Sequence, residues 1–228
     1  MRTLAVLSRK GGTGKTTVAV QIAVAASKAK RRVVVADLDP QRSALDWRRE
    51  RIGDGPRVIE AKAGGLFTLK QAEQRAGTDL LVLDTRSSHD QESAEAAREA
   101  DFCVIVTRPC FFDVRSIQRT AELVNNLRKP AFIVLNQAPS RRNGEEPRLI
   151  RETVEMLDSY GLPVAPVGLR YRAAYQTAVR AGLAAQEMDP DSLAAFEINA
   201  LWRHLKREIW PVQPKTAQPV VERMLGAA

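Results

Sequence analysis

The stretch Ser8-Arg9-Lys10-Gly11-Gly12-Thr13-Gly14-Lys15-Thr16-Thr17 constrains this 228-residue chain more than any other. It joins the apolar run Thr3–Leu7 to a helical pattern beginning at Lys15. Glycines let backbone N–H groups turn inward around an anion, and a helix N-terminus adds partial positive charge. A strand, such a loop and a helix in this order predict a phosphate cradle. Gly11, Gly12, Thr13 and Gly14 would wrap the phosphates, and Lys15 would reach the β- and γ-phosphates. The Thr16 hydroxyl would bind Mg²⁺, with Thr17 near the α-phosphate. The ordinary loop has glycine where this chain has Arg9 and has no lysine at Lys10, so one loop carries two lysines.

Further apolar runs lie at Arg32–Asp37, Asp79–Asp84, Phe102–Thr107, Ala131–Asn136 and, briefly, Pro163–Val167. Most are almost wholly apolar, as expected of strands buried on both faces of a parallel sheet. Helical patterns at Lys15–Lys28, Ser43–Arg51, Leu69–Arg75, Glu92–Glu99, Val114–Leu127, Glu146–Tyr160 and Tyr171–Ala181 separate them. Pro190–Trp210 reads as a last amphipathic helix. The alternation predicts a single α/β domain over residues 1–210, a doubly wound, mostly parallel sheet flanked by helices, followed by a proline-bearing tail at 211–228. No appended N-terminal DNA-binding domain is expected.

Two strand ends carry carboxylates. Asp37 and Asp39, at i and i+2 of an extended segment, are expected to point the same way. Beside a triphosphate one can orient water and the other assist the metal; a cap on the next helix is the other reading of Asp39. Leu80-Leu81-Val82-Leu83-Asp84 is four apolar residues ending in an aspartate suited to Mg²⁺. Cys103 falls in an apolar strand pattern and Cys110 in a loop, with no metal or redox spacing. Nothing approaches the roughly 20 apolar residues of a membrane span, and no signal peptide is legible, so a cytoplasmic protein is expected.

KGGTGKTT resembles the deviant Walker motif of the ParA/MinD ATPases, and Asp37-Leu38-Asp39-Pro40-Gln41 resembles the ParA branch of that family. The resemblance covers nearly the whole chain. It implies a slow ATPase using ATP/ADP and Mg²⁺ that dimerises on ATP. Lys10 would cross to the partner's nucleotide, a second cation on developing charge. Lys15 and Asp39 would complete the catalytic set, with Asp39 polarising water. Thr16, Asp37 and Asp84 would stand at the metal, and Asn136 and Pro166 at the adenine. Thr85-Arg86-Ser87-Ser88 departs from the family's proline- and glycine-bearing switch, and a similar DTR replacement occurs in the ATPase that assists T-DNA transfer.

The net charge of +8 favours a polyanionic partner. Arg170, Arg172, Arg180, Arg203, Lys206 and Arg207 could form a stripe over DNA phosphates. Arg172 and Arg180, eight apart on one helix, would share a face. The resemblance implies a partition ATPase on the nucleoid, binding DNA nonspecifically and stimulated by a small centromere-binding or cargo adaptor protein. Alternatives are the positioning of another cargo, such as a DNA-transfer apparatus, and a MinD-like membrane role. For the last, Val220, Val221, Met224 and Leu225 are thin anchors.

Overall fold

In the computed structural model, which describes residues 1–87 and 90–211, six strands form one parallel sheet in the order β3-β2-β4-β1-β5-β6. The strands are β1 (Arg2–Leu7), β2 (Val33–Asp37), β3 (Arg57–Glu60), β4 (Leu80–Asp84), β5 (Phe102–Thr107) and β6 (Ala131–Leu135). Helices α1 (Lys15–Lys28), α2 (Ser43–Glu50), α3 (Leu66–Arg75), α4 (Asp90–Glu99), α5 (Phe111–Asn126) and α6 (Arg148–Asp158) fill the crossovers and the segment after β6. α7 (Ala173–Arg180), the short α8 (Ala185–Met188) and α9 (Leu193–Ile209) follow.

Period-2 alternation sorts the core into two layers. Leu4 and Val6 of β1, Val33 and Val35 of β2 and Val104 of β5 face α1 and α9, where Ile22, Ile198 and Trp202 meet them. Ala5 and Leu7, Val34 and Ala36, and Ile105 face the other way, onto Ile117 of α5, Ala97 of α4 and Leu157 of α6. Both faces are covered, so the strands need no polar side, and apart from β3 their polar residues fall at the strand ends. Cys103 lies fully buried in the second layer, where burial pushes its thiol up to about 12.

The register sets the site. Asp84 at the end of β4 is level with Val6 of β1 and with Asp37 of β2. Loops leaving these strands therefore emerge at one edge, where ligands bind in doubly wound sheets.

Five of the six strands fall where the apolar runs predict them. The other is β3, a short edge strand whose Arg57-Val58-Ile59-Glu60 is only half buried and gives no apolar run. Pro163–Val167 does not form a strand. Prolines at 163 and 166 supply no N–H, and only Val164 makes a bridge, to Ile133 of β6. α5 starts at Phe111, three residues before the predicted Val114. α9 packs on α1 as part of the same core. The predicted tail lies outside the described residues beyond Pro211.

Arg51, just past α2, is nearly buried and pairs through two bonds, of 2.8 and 2.7 Å, with Glu187 of α8. It also donates to the carbonyls of Gly55 and Gly182, tying the segment after α2 to the back of the sheet. Removing one partner of such a pair strands the other. Arg51→Ala should cost about 3 kcal/mol of unfolding free energy, read from the denaturant midpoint; an unchanged midpoint would count against this bracing role.

Candidate functional site

β1 runs directly into the glycine-rich loop, and α1 begins at Lys15. A helix's first N–H groups have no partner inside the helix. Gly14 precedes α1 in the left-handed region, with φ 89°, and has no side chain with which to cap it. Gly12 is also left-handed, at φ 75°. Glycine adopts these angles without strain. The exposed N–H groups are left for an anion.

The far side of the sheet clamps this loop. Asn136, buried at the end of β6, donates from Nδ2 to the Thr13 carbonyl at 2.7 Å. Gln137 donates from Nε2 to the Gly12 carbonyl at 3.0 Å. The Thr13 hydroxyl reaches Ser8 Oγ at 3.0 Å. The clamp explains why position 14 must be glycine: an added Cβ would lie 2.2 Å from Asn136 Nδ2. Asn136, expected at the adenine, thus spends its amide nitrogen on the loop. Sequence reasoning missed Gln137 altogether; its adjacency to Asn136 at a strand end was the available signal.

The cradle opens onto a cavity of about 430 Å³ lined by Gly11, Gly12, Gly14, Lys15, Thr16, Thr17, Asp39 and Arg86, among others. Lys15 is buried, and its Nζ is 2.5 Å from Ser87 Oγ. Burial lowers the amine's pKa below the usual lysine value, with Asp84 and Asp39 pulling it back. Asp84 is fully buried, and neither carboxylate oxygen has a hydrogen-bond partner among the described residues. Burial pushes its pKa up to about 7, against the pull of the Thr16 hydroxyl. A buried carboxylate with open lone pairs beside a hydroxyl fits a hard dication such as Mg²⁺. Asp84 and Thr16 are the residues that would hold it, and when bound it would neutralise phosphate charge.

The two carboxylates at the end of β2 have different surroundings, although both line a further cavity of about 640 Å³. The chain turns after Asp37, which is buried. Its Oδ2 accepts from the N–H groups of Ala44 and Leu45 at 2.9 and 3.1 Å, and its Oδ1 accepts from that of Asp39 at 3.1 Å. Asp37, expected at the metal, caps α2 and fixes the backbone of Asp39, and its charge also acts on Asp84, raising that carboxyl's pKa. Burial raises its pKa, and the N–H groups of Leu45, Asp39 and Ala44 oppose this. Asp39 is half exposed on the cavity wall, with Oδ1 accepting from Gln41 N–H at 2.9 Å. The cap offered for Asp39 therefore belongs to Asp37.

Lys10 is exposed and does not line its own cavity. Its Nζ lies 5.7 Å from the centre of the Phe112 ring. Pro166 lines a separate cavity of about 500 Å³ with Arg170, Arg172 and Phe196. The predicted basic stripe is also broken. Arg170 is 2.5 Å from Glu146 and donates to the Pro139 carbonyl, and Arg172 is 2.6 Å from Glu197. Arg172 precedes α7 as its N-cap residue, so it and Arg180 do not share a helix face. Arg203, Lys206 and Arg207 remain exposed on α9.

Residues 4–184 match the family described as the CobQ/CobB/MinD/ParA nucleotide binding domain. The chain is 30% identical over 214 residues to the "Maintenance of carboxysome distribution protein A" of Halothiobacillus neapolitanus, covering 87% of this chain and 94% of that one. It is 27% identical over 192 residues to "Protein virC1" of Rhizobium radiobacter, covering 80% and 82%. Among solved structures, the ATP complex of McdA from Cyanothece superposes with TM-score 0.73 at 17% identity, over 93% of this chain and 99% of that one.

The bond to Ser87 takes one of the three N–H donors of Lys15 and competes with a phosphate for it. Removing a competing bond to a charged group should favour the ligand. Ser87→Ala should therefore tighten Mg²⁺-ATP binding several-fold by calorimetry. Weaker binding would instead make Ser87 a nucleotide ligand.

Proposed function

Because the chain belongs to the CobQ/CobB/MinD/ParA nucleotide-binding family, as an ATPase that uses ATP and Mg²⁺, we propose that it positions a large cargo by cycling between an ATP-bound dimer and a released monomer. Members of this family dimerise on ATP and work with partner proteins. The observation that carries the proposal is the position of Lys10. It belongs to the phosphate loop yet turns away from the loop's own cavity. A lysine so placed serves a nucleotide held by a second copy. Lys15 holds the chain's own phosphates, Asp84 and Thr16 hold the metal, and Asp39, positioned by Asp37, orients the water.

The dimer would bind nonspecific DNA on the nucleoid, and an adaptor on the cargo would stimulate hydrolysis and release it. The likeness to a carboxysome distribution protein supports a protein assembly as cargo, and the Asp84-Thr85-Arg86 segment lends weight to a DNA-transfer apparatus. The net charge of +8 and the exposed cations of α9 support the second reading, segregation of DNA itself. Among the described residues no helix is long and apolar enough to cross a bilayer. The apolar residues at 220–225 lie outside the described residues.

Asp39→Ala should bind ATP and dimerise but turn over at least about a hundredfold more slowly, the usual minimum for a lost acid–base group. Unchanged turnover would remove Asp39 from the mechanism. DNA binding should require ATP. With three α9 cations per protomer it should fall about a thousandfold between roughly 50 and 200 mM salt, the response to about six neutralised phosphates. Gel shifts that show DNA bound equally without ATP would contradict the switch.

A further inference from the structure

Phe111 and Phe112 open α5 with their side chains in solvent, 59% and 69% exposed. Their rings meet edge to face, with centroids 5.5 Å apart. A paired aromatic surface on a folded protein marks an interaction site. Cys110, the residue before Phe111, lines a groove of about 610 Å³ that reaches Leu149 and Tyr171, of which Tyr171 is 73% exposed.

Two contacts join this surface to the nucleotide loop. Lys10 lies over the Phe112 ring. Gln137, which holds the Gly12 carbonyl, also lines the groove. A second copy that takes up Lys10 would thus approach Phe112. We propose that Phe111 and Phe112 are the apolar anchor of the ATP-bound homodimer, packing against a second copy of this chain. The inference rests on the reading of Lys10 given above and adds what that reading lacks, an apolar centre beside a mostly charged site.

The physical logic follows from both partners of Lys10. In the single chain the ammonium is held over an aromatic face, a weak exposed interaction. When a partner's triphosphate draws Lys10 away, the Phe112 face loses its cation and is left for the second copy to bury. In a two-fold interface the same patch is used twice, so each aromatic counts at two places. Aromatic anchors of this kind carry most of the binding energy of an interface.

The test measures the dimerisation constant in Mg²⁺-ATP by sedimentation, for the full chain and for Phe111→Ala/Phe112→Ala, with ATP affinity measured at concentrations where only monomer is present. The variant should bind ATP as the parent does and dimerise at least about thirtyfold more weakly, the effect of one truncated anchor. Phe111→Leu/Phe112→Leu should recover most of the loss. An alanine variant that dimerises like the parent overturns the proposal, as does a loss of vesicle or DNA binding with the dimer intact. If the parent chain itself stays monomeric in ATP, the dimer reading fails before the anchor is reached.

Discussion

The first turn of α1 presents N–H groups that the helix cannot satisfy, and the left-handed Gly14 ahead of it offers no side chain to do so. Much of the fold serves to hold that loop in shape. β1 delivers the loop, and the register of β1, β2 and β4 puts Asp84 and Asp37 level with it. β6, two strands away from β1 across β5, returns Asn136 and Gln137 to hold the loop's carbonyls. The two sides of the sheet thus converge on one short segment, which leaves it rigid and ready for an anion.

A second tension lies in the charges. Asp84 is buried without a hydrogen-bond partner among the described residues, and Lys15 is buried against a serine. Each is costly alone. A metal nucleotide relieves both, because the cation meets the carboxylate and the phosphates meet the lysine. Thr85-Arg86-Ser87 then has a physical meaning that its departure from the family pattern did not suggest. Ser87 takes one of the Lys15 donors, and Arg86 and Ser87 line the same cavity.

The parts legible in the sequence were those whose geometry is local. Apolar runs named five strands, and the loop's spacing alone puts Lys15 and Thr16 at the start of a helix. The parts that were not legible depend on residues distant in sequence. β3 is half exposed and carries no apolar signature. The different surroundings of Asp37 and Asp39 are not legible because β2 ends at Asp37, two residues short of Asp39. Arg170 and Arg172 counted as free cations until the fold brought Glu146 and Glu197 to them, 24 and 25 residues away. No local pattern announces such neutralisation.

The central claim is that Lys10 works on the nucleotide of another chain. Mixing two inactive variants tests it most directly. Lys15→Ala subunits cannot hold ATP but carry Lys10; Lys10→Ala subunits hold ATP but lack the crossing lysine. A mixed dimer has one complete site, so turnover in the mixture should rise well above the sum of the two variants alone and peak near equal proportions. Turnover that stays at that sum at every ratio would place Lys10 on its own chain's nucleotide and contradict the account.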